Sequence, residues 1–401
     1  MKRLITICAV TLLFAGAASA QEIANFSRGQ QVVSPEVYDG GSVTFRLAAD
    51  YATTVYLSGN WMAQGEGPVA MTKGPGGVWE TTVSGLEPEI YTYNFIVDGV
   101  AVNDPVNYKV QRDGTRYLNM VFVPGERSAV YNEAVHRGTL TTLWYDSTQL
   151  GLNRRMIVYT PYGYENSKKT KYPVLYLLHG GGGDEEAWTS MGRAAQILDN
   201  LIERGEAVPM IVVMPNGNPN CQAAPGEWSW GMYTPGFRDS GTGPTEPAAA
   251  SIPESFMDIV NYIDANYRTI KSRAGRAVCG LSMGGGHTFH VSLLYPNSFD
   301  YYGLFSAGLH LGTGQIMGRP FAEQIKADPD FAQQSARLFG SKPKLYWMGM
   351  GKTDFLYQAT VDLRAYWDSK GYKYEYVETD GGHIWRNWRI YLTMFAQKIF
   401  K

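Results

Sequence analysis

Gly280-Leu281-Ser282-Met283-Gly284 spells G-x-S-x-G. The motif closes an apolar run, Ala277 to Leu281, and precedes a helix-compatible stretch from His287 to Leu294. A serine on a sharp strand-to-helix turn has its hydroxyl lifted above the sheet, and flanking glycines leave room for the backbone angles such a turn needs. A serine hydroxyl is a weak nucleophile at neutral pH unless a base takes its proton. Among the six histidines, His383 is best placed to be that base. It lies in Asp380-Gly381-Gly382-His383-Ile384-Trp385, a loop after the last clear strand. A base needs an acid to hold its tautomer and stabilise the imidazolium. Asp354 meets this need at the end of Gly349-Met350-Gly351-Lys352-Thr353-Asp354, a buried strand running into a short loop. Asp380 is too close to His383 in sequence for easy geometry, and Asp362 falls on the following helix. His310 follows another strand end, Tyr302 to Gly308, and is the rival base that could line the site, although it precedes the acid.

Nucleophilic attack on a carbonyl also needs two N–H donors for the developing negative charge. The Met283 N–H supplies one. His179-Gly180-Gly181-Gly182-Gly183, after an early strand, supplies the other, with Gly181 favoured and Gly180 an alternative. No Gly-Lys-Ser/Thr follows these glycines, which argues against a phosphate cradle. His179 reads as a hydrogen-bonded structural residue. His287 and His290 lie on the helix behind the nucleophile, where they pack or face solvent.

These residues must be carried by a sheet. Pro173-Val174-Leu175-Tyr176-Leu177-Leu178 and Met210-Ile211-Val212-Val213-Met214 are nearly continuous apolar runs, the pattern of strands buried on both faces. Helical periodicity in Ala194–Ile202, 254–267 and 357–370 alternates with strands at 277–281, 345–350 and 374–377. That alternation predicts an α/β fold with a mostly parallel sheet. Upstream, residues 43–47, 55–59, 79–83, 91–97 and 117–123 are short strands separated by turn signals such as Asp98-Gly99, which predicts a β-sandwich. The expected organisation is a leader at 1–20, a β-sandwich at 21–124, a linker at 125–137 and the α/β domain at 138–401. The Asn216–Pro253 loop is rich in Gly, Pro and aromatics. Loops of that length are usually functional, so Trp228, Trp230 and Tyr233 become candidate substrate contacts, joined by Gly180, His310 and Trp385.

Composition excludes several classes. Lys+Arg number 35 and Asp+Glu 37, so the net charge of -2 makes no electrostatic case for nucleic acid or an anionic membrane. Lys2, Arg3, the apolar Leu4–Phe14 and Ala18-Ser19-Ala20 form a secretory leader with cleavage expected after Ala20. Cys221 and Cys279 occupy different contexts, a loop and an apolar run, which argues against their pairing. No metal or organic cofactor is expected.

In order, Tyr172–Gly180, Val213-Met214-Pro215-Asn216-Gly217, Gly280–Gly285, Gly351–Asp354 and Gly381-Gly382-His383 resemble carbohydrate esterase family one of the α/β-hydrolases. That group includes feruloyl and acetylxylan esterases. Gly59-Asn60-Trp61, Trp79-Glu80, Gly85–Pro88, Tyr91-Thr92-Tyr93, Val97-Asp98-Gly99 and Asn103-Asp104-Pro105 resemble the glycogen-binding-type family 48 carbohydrate-binding module, where Trp61 and Trp79 fit either a core or a sugar platform. Together the resemblances imply an exported serine esterase acting on feruloylated arabinoxylan. Acetylxylan esterase, siderophore esterase and a non-catalytic carbohydrate-binding protein are the competing readings.

Overall fold

The computed structural model describes residues 32–63, 65–224, 250–312 and 318–401. Ten strands come first: β1 (Glu36–Tyr38), β2 (Ser42–Ala48), β3 (Val55–Gly59), β4 (Val69–Ala70), β5 (Thr72–Lys73), β6 (Val78–Val83), β7 (Glu89–Val97), β8 (Val100–Val102), β9 (Val110–Asp113) and β10 (Arg116–Val123). They form two antiparallel sheets, β1-β2-β6-β5 and β4-β3-β7-β10-β9, with β8 paired to β7. Side chains alternate across a strand, and here the alternation fills a sandwich core. Val43, Phe45 and Leu47 of β2 meet Tyr91, Tyr93 and Phe95 of β7 there. Asp98 and Gly99 both have positive φ, the geometry of a tight hairpin turn. Trp79 belongs to this core and donates Nε1–H to the Ala49 carbonyl at 3.0 Å, so it is no sugar platform.

The second region holds one eight-stranded sheet of β11 (Thr139–Ser147), β12 (Leu152–Thr160), β13 (Val174–Leu178), β14 (Ile211–Pro215), β15 (Arg276–Leu281), β16 (Tyr301–Phe305), β17 (Leu345–Gly351) and β18 (Glu375–Thr379). Its order is β11-β12-β14-β13-β15-β16-β17-β18. The first two pairings are antiparallel and the rest parallel. Helices α1 (Ala187–Ser190), α2 (Ala194–Glu203), α3 (Ile252–Asn266), α4 (Met283–Leu294), α5 (Phe321–Ala327), α6 (Phe331–Gly340), α7 (Tyr357–Ser369) and α8 (Trp385–Ala396) accompany the sheet. Val174, Tyr176 and Leu178 face the core shared with α3, α4, α6 and α7, while Leu175 and Leu177 face the core shared with α2 and α8. Two covered faces explain why these strands read as unbroken apolar runs. Cys221 and Cys279 are both buried and free. No helix among the described residues is long and apolar enough to cross a membrane.

The two regions are docked through a buried seam. Ile90 of β7 and Val130 and Tyr131 of a short 3-10 helix (Arg127–Tyr131) join the core that holds Leu198 and Leu392. Arg389 of α8, 1% exposed, donates to Glu89 at 3.1 Å, to the Ile90 carbonyl at 3.0 Å and to the Met191 carbonyl at 2.7 Å.

Candidate active site

Ser282 sits between β15 and α4 with φ 52° and ψ −115°, a conformation costly for any residue with a Cβ. The surroundings hold it: Ser282 N–H donates to the Phe305 carbonyl at 2.9 Å, and the Ser282 carbonyl accepts from Gly308 at 2.8 Å and Gly286 at 3.0 Å. The motif glycines are needed for close approach. A Cβ on Gly284 would come 2.5 Å from the His179 carbonyl oxygen and 2.6 Å from that of Leu178. Met283 opens α4, so its N–H has no acceptor within the helix and stands free for an incoming oxygen.

The glycine-rich loop after β13 faces this serine. A Cβ on Gly180 would come 3.1 Å from the Ser282 Cβ, whereas one on Gly181 would meet nothing within 4 Å. Gly181 therefore borders open space. His179 organises the loop. Its Nε2 accepts the Gly217 N–H at 2.7 Å, so the proton resides on Nδ1, which donates to the Gly180 carbonyl at 2.8 Å. Burial pushes the His179 pKa down and keeps the ring neutral.

His383 Nδ1 lies 2.9 Å and 3.1 Å from the two carboxylate oxygens of Asp354. Asp354 is 4% exposed. Burial alone would raise its pKa, but hydrogen bonds from His383 and from the Leu356 N–H, at 2.9 Å, hold it below the usual carboxylate value. The loops bearing acid and base are tied by Lys352 N–H to the Thr379 carbonyl and Thr353 N–H to the Gly381 carbonyl, at 2.9 Å and 3.1 Å. The His383 ring lies between Phe355 and Trp388, at centroid distances of 4.6 Å and 4.9 Å. The rival acids are engaged elsewhere. Asp380 pairs with Lys352 at 2.9 Å, and Asp362 accepts from Ala322 and Gln358.

Ser282, His383, Gly180, Gly181 and Trp385 line one cavity of about 360 Å³. Its apolar wall includes Leu118, Met191, Leu281, Ile384, Trp385 and Trp388. Trp385 is held edge-on to Trp188 and Trp388. His310 is elsewhere: its ring lies tilted 4.6 Å from that of His290, and among the described residues it lines none of the cavity around Ser282. Trp228, Trp230 and Tyr233 lie outside the described residues. His287 and His290 are buried, and burial lowers their pKa values to about 3 and about 4. Among the described residues no three His, Cys, Asp or Glu side chains converge to hold a metal ion.

Sequence reasoning missed part of the wall. Asn60, Thr92, Asp113, Arg116 and Leu118 come from the β-sandwich and border the Ser282 cavity. A second cavity of about 840 Å³ runs between Trp61 and Tyr91 of the sandwich and Phe355 and His383 of the sheet domain. Asp113-Gly114-Thr115-Arg116 is legible as a turn. That this turn lands beside Gly181 and Gly182 follows only from docking.

A mostly parallel sheet with a strained serine between strand and helix and an Asp–His pair on later strand-end loops defines the α/β-hydrolase class. Comparison with known proteins gives the family: the family model Esterase matches residues 147–399, and the chain belongs to that family. The chain is 30% identical over 377 residues to an endo-1,4-beta-xylanase/feruloyl esterase of Xylanibacter ruminicola, covering 92% of this chain and 46% of that protein. It spans about half the length of the curated relatives it matches. A solved ferulic acid esterase superposes with a TM-score of 0.50 at 25% identity, covering 65% of this chain and 97% of that one. The enterobactin esterase FES of Shigella flexneri shares the fold over 92% of this chain and 94% of its own, with a TM-score of 0.61 at 17% identity.

Proposed function

We propose that this chain is a secreted serine carboxylic-ester hydrolase that releases ferulate and related hydroxycinnamates from feruloylated arabinoxylan. Ser282 attacks the ester carbonyl while His383 takes its proton, and Asp354 holds the imidazole in the reactive tautomer. The N–H groups of Gly181 and Met283 receive the oxyanion. An acyl-enzyme forms on Ser282, and a water activated by His383 releases the acid. The leader at 1–20 is removed on export, the sandwich spans 21–124, the linker 125–137 and the esterase domain 138–401.

The observation that carries the substrate class is the cavity beside Ser282. Its apolar and aromatic wall suits a phenylpropenoyl group. An acetyl group would leave most of that wall uncovered. The feruloyl esterase relative, matched over 92% of this chain, supports the same choice.

The shared two-region fold of the enterobactin esterase favours one second reading, cleavage of a catecholate trilactone. Kinetics on methyl ferulate, 4-nitrophenyl acetate and a catecholate trilactone separate the readings. Feruloyl esterase predicts the highest kcat/KM on methyl ferulate. Turnover confined to the acetate sinks the hydroxycinnamate assignment, and turnover confined to the trilactone replaces it.

A further inference from the structure

The loop that holds Gly180 and Gly181 continues into Asp184-Glu185-Glu186, three consecutive carboxylates, two of them nearly inaccessible to solvent. Each is held by an arginine. Arg155 of β12 takes Glu185 and also reaches Glu186, at 2.7 Å. The other arginine is Arg112, on β9 of the sandwich, 11% exposed in its side chain. Its guanidinium spends every donor it has. Nη1 and Nη2 donate to the two oxygens of Asp184 at 2.6 Å and 2.7 Å. Nη2 and Nε donate to Glu186 at 2.8 Å and 3.2 Å. Nη1 also donates to the Gly114 carbonyl at 2.7 Å. Gly114 lies in the Asp113–Arg116 turn that borders the space in front of Gly181 and Gly182. The main chain of Arg112 is anchored too, exchanging hydrogen bonds of 3.0 Å and 3.1 Å with the Ser190 hydroxyl.

We propose that Arg112 is a positioning residue for the oxyanion loop, so that the β-sandwich completes the catalytic apparatus instead of serving only as a glycan module. This rests on the serine-esterase reading above. One planar fork fixes both the loop that bears the oxyanion donor and the turn opposite it, and it does so at a distance set by bidentate geometry. Lysine offers a single point charge and cannot span Asp184, Glu186 and Gly114 together. Asp184 in turn accepts the Glu186 N–H at 3.0 Å, which carries the restraint into the backbone that follows Gly183. An oxyanion hole works only if its donors are already in place when charge develops, so a loosened loop costs turnover more than binding.

The test uses the full chain and 4-nitrophenyl acetate, which carries a small acyl group and no sugar. Arg112→Gln should lower kcat about 10- to 100-fold, less than outright deletion of a donor costs, with KM within about threefold. Affinity for phenylboronic acid, which forms a tetrahedral adduct on the serine, should fall by the same factor as kcat, while affinity for ferulate stays unchanged. Arg112→Lys should recover little. Arg46→Gln, which breaks the pairs with Glu36 and Glu80 at the far side of the same sandwich, should leave kcat unaltered. If Arg112→Gln does not fold, Asp184→Asn carries the same kcat and boronate expectation. Unchanged kcat in the folded variant, or equal loss of boronate and ferulate affinity, overturns the inference. An inactive Ser282→Ala beside a fully active Arg112→Gln sinks the Arg112 inference alone, and a fully active Ser282→Ala sinks both.

Discussion

The cavity at Ser282 has two unlike walls. The wall from the sheet domain joins the Gly180–Gly181 backbone and the Ser282 turn to the packed side chains of Met191, Leu281, Trp385 and Trp388. The wall from the sandwich is side chains: Asn60, Asp113 and Arg116 at strand ends, with Thr92 and Leu118 from within strands. Behind the first, a Cβ on Gly284 would run into the Leu178 and His179 carbonyl oxygens. On the second, Asn60 and Arg116 end in solvent. Under the proposed esterase function, the wall around Ser282 carries the reacting groups, and the exposed side chains opposite are where preference among esters can change.

The strongest way to break this contrast is at the serine. Ser282→Ala should reduce kcat by at least about 10⁴-fold, measured on methyl ferulate, since removing a catalytic-unit member costs that or more. Asp354→Asn should cost about 10⁴-fold through the wrong imidazole tautomer, with the fold intact by circular dichroism. Gly284→Ala probes rigidity. With backbone oxygens 2.5–2.6 Å from the added carbon, it should destabilise the protein by about 1–3 kcal/mol in urea unfolding. An equal Tm for parent and variant would show that this wall yields after all. The smallest effect belongs to the other wall. Arg116→Ala, at a side chain 74% exposed, should shift KM for feruloylated oligosaccharide a few-fold and leave 4-nitrophenyl acetate untouched.

The helix behind the Ser282 wall adds a pH signature. His287 and His290 are buried neutral, with pKa values lowered from 6.5 to about 3 and about 4. At these two sites the unfolded chain therefore binds more protons than the folded one from about pH 6.5 down to about 3. Stability is full above pH 6.5 and falls as the pH drops through that window. Tm measured from pH 7 to pH 4 should decline, and His290→Gln should flatten the decline.

Much of this was legible in residue order. β13 to β15, α3 and α7 are each recognisable within a few residues, because strands covered on both faces must be apolar throughout and one-sided helices repeat every 3.6 residues, whereas α4, buried nearly all round, was legible only as the stretch after the serine turn. The Asp354–His383 pair was legible from its place after successive strands. His310 was ambiguous because its segment also follows a strand end; only the fold turns it toward His290. Trp61 and Trp79 looked alike, yet Trp79 is core while Trp61 lines the cleft between the regions.

By itself, then, the sequence determined the local chemistry: a nucleophile turn, glycines where backbone must approach, and an acid and base on later strand ends. These depend on neighbours a few residues away and on strand periodicity. The tertiary structure alone decided what stands opposite Ser282. Arg112 lies 72 residues from Asp184, and Glu89 lies 300 from Arg389. Pairs that distant leave no periodic trace, because docking brings them together through complementary surfaces and charge. So the β-sandwich, read from residue order as a separate module, is in the folded chain a wall of the active site.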